Sequence, residues 1–294
     1  MLVHIAGAGA AGISVAQALL LTGRSLGSVA CRDMARARSR CDVLGSGIPS
    51  TLDTMQGDPD GPPCLLIISV PDRHIADTAA TLSERSWPRE SVALHLSGSV
   101  EVEALAPLRA AGFAVGSLHP LKSFVGTPTA SVSPLAGIVC ALEGDPAALD
   151  VAQELANEVG GRPFRLAAGG RAAWHAGATH ACNHLVALVD QALDLLQQAG
   201  LDRDTGRSAL LPLLSSTVEN LRENQPGQAL TGPVVRGDVD VVARHLEALQ
   251  ESSPELAFAY KALAQRALDL ARKERDLDQM LAKQIEVKLN GEDE

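Results

Sequence analysis

A short apolar run, Leu2-Val3-His4-Ile5-Ala6, stops at Gly7-Ala8-Gly9-Ala10-Ala11-Gly12 and gives way to Ile13-Ser14-Val15-Ala16-Gln17-Ala18-Leu19-Leu20-Leu21. That pattern predicts a strand, a tight turn and a helix. Residues 64–70 and 91–96 are further continuous apolar runs, typical of strands buried on both faces of a parallel sheet. Strands are also expected at 113–118, 137–142 and 163–167, with a helix over 146–159. The stretch Gly57-Asp58-Pro59-Asp60-Gly61-Pro62-Pro63 can enter neither a helix nor a central strand and reads as a surface turn. Near Gly169-Gly170 the period changes, and helices are expected over 171–199, 205–224, 238–251 and 253 to about 289. The last has proline in its first turn and apolar positions at Leu256, Tyr260, Leu263, Ala267, Leu270, Leu277 and Leu281, a near-heptad edge interrupted at Glu274. The expected architecture is an α/β domain with a mostly parallel sheet over 1–168, then an all-helical domain over 169–294.

Composition narrows the function classes. The 294 residues carry a net charge of −10, which argues against a nucleic-acid partner because phosphate neutralisation needs a basic face. Aromatics make up 2%, leaving no stacking platform for bases. No apolar stretch approaches membrane-spanning length and no secretory pattern opens the chain. Cys31, Cys41, Cys64, Cys140 and Cys182 are scattered and odd in number, as expected of small apolar fillers in a reducing compartment. A cytoplasmic location is expected.

The first turn carries chemistry. In Gly-x-Gly-x-x-Gly between a strand and a helix, Gly7 permits the tight turn, and Gly9 lets a pyrophosphate approach the backbone. Gly12 allows close helix–strand packing, and the helix N-terminus offers free N–H groups to phosphate. A Rossmann-type dinucleotide-binding domain is expected. After the next strand, Gly27-Ser28-Val29-Ala30-Cys31, Arg32 holds the tip, followed by Arg36, Arg38 and Arg40. A guanidinium there can pair with a 2′-phosphate, which favours NADP. Asp33 leaves a carboxylate contact to an NAD ribose open.

Ligands of open parallel sheets bind at the carboxyl ends of the strands. Three such ends are loaded here: Val70-Pro71-Asp72-Arg73, His95-Leu96-Ser97-Gly98-Ser99 and His119-Pro120-Leu121-Lys122-Ser123-Phe124. Turn chemistry accounts for any one of them; three at successive ends, two carrying His or Lys, point to a functional cleft. Further on, His175, Thr179 and Asn183 recur at helical spacing, a polar stripe that is either a satisfied core network or the lining of a cleft.

These motifs, with Thr231-Gly232-Pro233-x-x-Arg236-Gly237-Asp238, together resemble a family of Rossmann-like NADP oxidoreductases with a C-terminal helical domain of unknown function. The family is related to pyrroline-5-carboxylate reductase, ketopantoate reductase and 6-phosphogluconate dehydrogenase. The resemblance covers essentially the whole chain. It implies a helical domain like that of 6-phosphogluconate dehydrogenase, an active site between the domains, and a homodimer. The near-heptad edge of the last helix is expected to contribute to the dimer.

In the hydroxyacid dehydrogenase relatives a catalytic Lys stands four residues before an Asn on the first long helix. Asn183 matches that Asn, but Thr179 occupies the lysine position. The proton donor must lie elsewhere, and His175, His119 and Lys122 are the candidates in that order, with Asn183 orienting the acceptor. Cofactor contacts are expected from Gly7, Gly9, Ala10, Ala11, Gly12, Arg32, Val70, Pro71 and Ser97, and substrate contacts from Ser99, Ser123, Thr179 and Arg236. His180 and His184 share a helical face, but no third ligand stands at a recognisable spacing, so no metal is expected. Arg236-Gly237-Asp238 reads as a loop ending at a helix cap, Asp238.

The expected activity is NADP-dependent reduction of a carbonyl or imine of a small acid, with a ketopantoate-like 2-oxo acid as first choice by analogy with the relatives. The competing readings are a non-catalytic NADP-sensing protein with a helical partner surface and, more weakly, a non-redox nucleotide or S-adenosylmethionine site on the same turn.

Overall fold

The computed structural model describes residues 1–126 and 132–291. Strand β1 (Val3–Ala6) runs through the glycine turn into α1 (Ala10–Leu21), followed by β2 (Leu26–Ala30), α2 (Met34–Leu44), β3 (Ile48–Ser50) and β4 (Leu65–Ile68). A 3₁₀ turn, Asp72–His74, leads into α3 (Ile75–Ser83), then β5 (Val92–His95) and the short α4 (Ala106–Ala110). Next come β6 (Ala114–Pro120), β7 (Val139–Gly144), α5 (Pro146–Glu158) and β8 (Arg162–Arg165). The remainder is helical: α6 (Arg171–Gln198), α7 (Arg203–Glu223), α8 (Pro226–Ala229), α9 (Pro233–Arg236), α10 (Val239–Ser252), α11 (Pro254–Glu274) and α12 (Gln279–Asn290).

The strands form one sheet in the order β3-β2-β1-β4-β5-β6-β7-β8. All neighbours are parallel except β6 and β7. The order reverses between β2 and β4 around β1, so the crevice at the carboxyl end of β1 is the switch point where doubly wound sheets bind ligands. β1 and β4 are buried along their whole length, as their uninterrupted apolar sequences require. One core face packs Ile5, Val29, Ile67 and Leu94 with α1 and α5; the other packs Ala6, Leu66, Ile68 and Val115 with α3 and α4.

The chain divides into two compact units, Met1–Asn183 and His184–Glu294. The helical character begins at Arg171, close to Gly169-Gly170, yet the first two turns and more of α6 belong to the first unit. The buried Arg171 ties the start of α6 to β6 and β7, and Trp174 one turn later ties it to β6 and β8.

In the second unit the expected long final helix is two helices. Arg275 is extended, and the Asp278 carboxylate accepts the backbone N–H groups of Met280 and Leu281, starting α12 afresh. The interruption of the apolar edge at Glu274 falls at the last residue of α11, and the pattern alone does not separate one interrupted helix from two. Val242, Leu246, Ala264, Leu268, Ala282, Ile285 and Leu289 of α10, α11 and α12 form one core; of the edge expected to face another subunit, Tyr260, Ala267 and Leu277 pack against that core while Leu263 is exposed. The large exposed apolar residues of this unit lie instead mainly on α6 and α7, at Leu185, Val186, Leu188, Leu211, Leu213, Val218 and Leu221. Among the described residues no helix is long and apolar enough to cross a membrane.

Candidate active site

The three glycines of the first turn have three distinct geometries. Gly7 has φ +99°, and a Cβ there would lie 2.6 Å from the Ser69 carbonyl oxygen at the end of β4. A Cβ on Gly12 would lie 2.3 Å from the Gly7 carbonyl oxygen. A Cβ on Gly9 would meet nothing within 4 Å. Gly7 and Gly12 therefore serve the fold, and Gly9 keeps an approach open. Gly9 is also the N-cap of α1, with no side-chain cap and no acidic residue in the first turn, so the helix terminus is free to receive an anion.

This approach opens into a cavity of about 560 Å³ at the switch point, lined by Gly7, Gly9, Arg32, Arg36, Val70, Pro71 and Arg73 among others. Gly7, Gly9, Arg32, Val70 and Pro71 are thus brought together as expected. Ala10 and Ala11 belong to the first turn of α1 and Gly12 to its packing; none of the three lines the cavity. Ser97 does not line it either: its hydroxyl accepts the N–H groups of Ser99 and Val100 at 3.1 Å each, a local turn. Of the arginines after β2, Arg32 and Arg36 reach the cavity and Arg38 and Arg40 do not. Asp33 is the N-cap of α2, its carboxylate accepting the Arg36 N–H at 2.8 Å. The acid that left an NAD contact open is occupied in starting a helix. Arg73, which closes the expected strand-end motif Val70-Pro71-Asp72-Arg73, also lines the cavity, with His74, which was not anticipated, and the acidic Asp77 of α3.

A second cavity, of about 620 Å³, lies at the end of β6 against the first turns of α6. His119, Lys122, Ser123, His175, Thr179 and Asn183, far apart in sequence, line it together with Trp174 and Cys182, and no acidic residue is in that lining. The polar stripe of α6 therefore faces an open cavity, and Asn183 is exposed. Lys122 donates from Nζ to the Pro134 carbonyl at 2.6 Å. The His119 and His175 rings are 6.4 Å apart. Burial, reinforced by His175 and Arg171, pushes His119 down to about 4, so it is neutral at physiological pH. That corrects its place as a titrating acid. His180 and His184 belong to no metal-binding cluster among the described residues.

Strand order sets β5 between the two cavities. Its loop is pinned from both sides: Ser99 Oγ donates to Asp72 at 2.5 Å, and the Ser97 carbonyl accepts Arg171 Nη1 at 3.1 Å. Ser99, expected at the substrate, is committed to this bond. His95, at the tip of β5, is fully buried, with both ring nitrogens unpaired among the described residues. Burial and the Arg171 charge hold it down at about 3.

Arg171 itself was missed by the sequence reading. It is 1% exposed, donates to Glu143 from Nε at 2.9 Å and from Nη2 at 2.6 Å, and reaches Ser117 Oγ at 2.6 Å. In the second unit, Arg236, expected to hold a substrate carboxylate, pairs with Asp238 at 2.7 Å. Asp238 stands at the N-cap of α10 but makes no side-chain capping bond.

Comparison with known proteins shows what the fold is similar to. Residues 138–267 match a domain of unknown function, DUF2520. The chain is similar in structure to a protein of Thermotoga maritima at 24% identity and TM-score 0.73, covering 93% of this chain and 99% of that one. A Bacteroides fragilis protein provisionally assigned as an NADP oxidoreductase is similar at 23% identity and TM-score 0.71, with 90% and 96% covered. The 1-pyrroline-5-carboxylate reductase of Streptococcus pyogenes is similar at 13% identity and TM-score 0.55, with 99% and 97% covered. No curated protein matches the sequence. The chain thus matches the DUF2520 model over residues 138–267 and is similar in fold to these three proteins.

Proposed function

We propose that the protein is an NADPH-dependent reductase acting on a carbonyl or imine of a small carboxylic acid. The observation that carries the reading is the open approach at Gly9. An uncapped helix terminus and an unobstructed Cβ position front a cavity whose rim carries Arg32, Arg36 and Arg73. A pyrophosphate fits the terminus, and a 2′-phosphate suits the guanidinium pair Arg32 and Arg36. NADPH, when bound, supplies a hydride. The NADP oxidoreductase assignment of the Bacteroides fragilis protein supports the same cofactor.

The second cavity supports the acid. Its lining holds Lys122, two histidines and three neutral hydrogen-bonding side chains with no carboxylate, so an anion enters without like-charge repulsion. Thr179 and Asn183 orient the acceptor, and His175 is assigned the proton transfer that accompanies reduction. A ketopantoate-like 2-oxo acid is the first substrate to try, and the name of the Streptococcus pyogenes enzyme adds a cyclic imino acid.

Two further assignments belong to this reading. The exposed leucines and valines of α6 and α7 exceed the scattered apolar residues normal on a monomer, and a second copy of the chain is proposed to cover them. Light scattering at micromolar concentration should give twice the chain mass; a monomer removes the proposal. Five free cysteines fit the reducing cytoplasm.

The test is a panel of 2-oxo acids and cyclic imines followed at 340 nm with NADPH, beside calorimetric NADPH titration. Binding with turnover supports the reductase. Binding without turnover on any panel member favours a sensing protein, for which the missing lysine at Thr179 would be the reason. No binding of NADPH overturns both.

A further inference from the structure

The environment of His119 assigns its protons. Trp174 donates its indole N–H to His119 Nδ1 at 2.9 Å, and the indole can only donate, so Nδ1 must be the bare nitrogen of the ring. The neutral imidazole then carries its proton on Nε2. Three further contacts hold the pair still. The Trp174 ring stacks on Phe164 of β8, with centroids 5.8 Å apart and planes 18° from parallel. Trp174 follows Arg171 by one helical turn, so the buried Arg171–Glu143 pair sets its height along α6. The imidazole lies so close over Gly98 that a Cβ there would fall 2.5 Å from its Cε1. His119 lines the second cavity, and with Nδ1 occupied, Nε2 is the nitrogen it can offer a ligand.

We propose that His119 presents Nε2–H to this cavity as a permanent hydrogen-bond donor, and that Trp174 is the positioning residue that fixes this tautomer. The role deepens the reductase reading and rests on it for the identity of the acceptor. A neutral N–H aimed at a carbonyl oxygen or imine nitrogen polarises the bond without giving up its proton, leaving proton transfer to another group. The surroundings favour the neutral form. Burial, then His175 and Arg171 on α6, disfavour a second proton, and Asp72 beyond β4 opposes them. A hydrogen bond to the unprotonated nitrogen acts in the same direction as the cations.

The test is a two-bond ¹⁵N–¹H correlation spectrum of the full-length, ligand-free protein between pH 5 and 8, with the His119 signals assigned by their loss in His119→Gln. The expected wild-type pattern is a protonated Nε2 and a bare Nδ1 down to pH 5. In Trp174→Phe, which keeps a ring for Phe164 to stack on, the Nδ1–H form should appear and the titration midpoint should rise towards its ordinary value. A wild-type ring protonated on Nδ1, or doubly protonated at pH 7, overturns the proposal, as does an unchanged tautomer balance and midpoint in Trp174→Phe. Should Trp174→Phe fail to fold, the wild-type spectrum still decides the tautomer. On any substrate found in the NADPH panel, His119→Gln, whose amide can replace an Nε2–H donor, should keep kcat within about tenfold of wild type, while His119→Ala should lose about 10²-fold or more. Equal losses mark an acid and overturn the donor role. Absence of turnover counts against the reductase reading and leaves the spectroscopic result standing.

Discussion

Arg171, at the first position of α6, directs both Nε and Nη2 at one carboxylate oxygen of Glu143 on β7, 2.9 and 2.6 Å away. The guanidinium is 1% exposed while the Glu143 side chain keeps 29% of its surface, so the cation is the deeply desolvated partner. Its other donors go to Ser117 Oγ and the Ser97 carbonyl. One side chain thus joins β6, β7 and the β5 loop to the helix that carries Trp174, His175 and Thr179.

Removing that cation should be costly. Arg171→Met leaves the largely covered Glu143 carboxylate without its cation and the Ser117 hydroxyl and Ser97 carbonyl without this donor, and should lower stability by about 3 kcal/mol in urea unfolding. Arg171→Lys keeps charge but not the fork, and should fall between. A wild-type midpoint in Arg171→Met would show that the pair holds nothing.

The glycines of the first turn should separate folding from binding. Gly7→Ala and Gly12→Ala meet backbone at 2.6 and 2.3 Å, and should each lose about 2 kcal/mol or more by thermal unfolding. Gly9→Asp meets nothing in the free protein and should melt like wild type, yet lose NADPH binding by calorimetry because a carboxylate then occupies the anion's approach. Unchanged affinity in Gly9→Asp excludes the dinucleotide site.

Cofactor preference should follow the cavity rim. Arg32→Ala should weaken NADPH binding by about 1.5–3 kcal/mol, roughly 10- to 150-fold, and leave NADH binding nearly unchanged. Arg38→Ala, which does not reach the cavity, is the control and should do neither. Equal loss for both cofactors would place Arg32 elsewhere on the ligand.

Stability should fall on mild acidification. His95 and His119 are held at about 3 and about 4, and burial also lowers His4. Above pH 6.5 these rings are neutral in folded and unfolded chains alike and contribute nothing. Between 6.5 and 4 the unfolded chain takes up protons that the folded one refuses, so stability drops as pH falls. His95 and His119 should each account for about 2 kcal/mol between pH 7 and pH 5. Denaturant midpoints at the two pH values check this, and His119→Gln should remove its share of the difference.

The sequence alone determined what depends on neighbours in the chain. The run ending at Ala6, the three glycines and the period of 13–21 specify strand, turn and helix, because turn chemistry and apolar spacing act within a few residues. The strand ends bearing Pro71, Ser97 and His119 were legible for the same reason, as were His175, Thr179 and Asn183 as a stripe. Tertiary structure decided the rest. Whether Asp33 served a ribose or a helix depended on where α2 begins. The apolar edge marked an interruption at Glu274, but that one helix ends there and another begins appears only where Arg275 is extended and α12 packs on α11. Arg171 read as an ordinary first residue of a helix until the sheet order brought Glu143 and Ser117 to it. The proton on His119 depends on Trp174, 55 residues away. Such pairings carry no periodic signature; they exist because β6, β7 and α6 meet, and burial then makes each unpaired donor or acceptor expensive enough to select one arrangement.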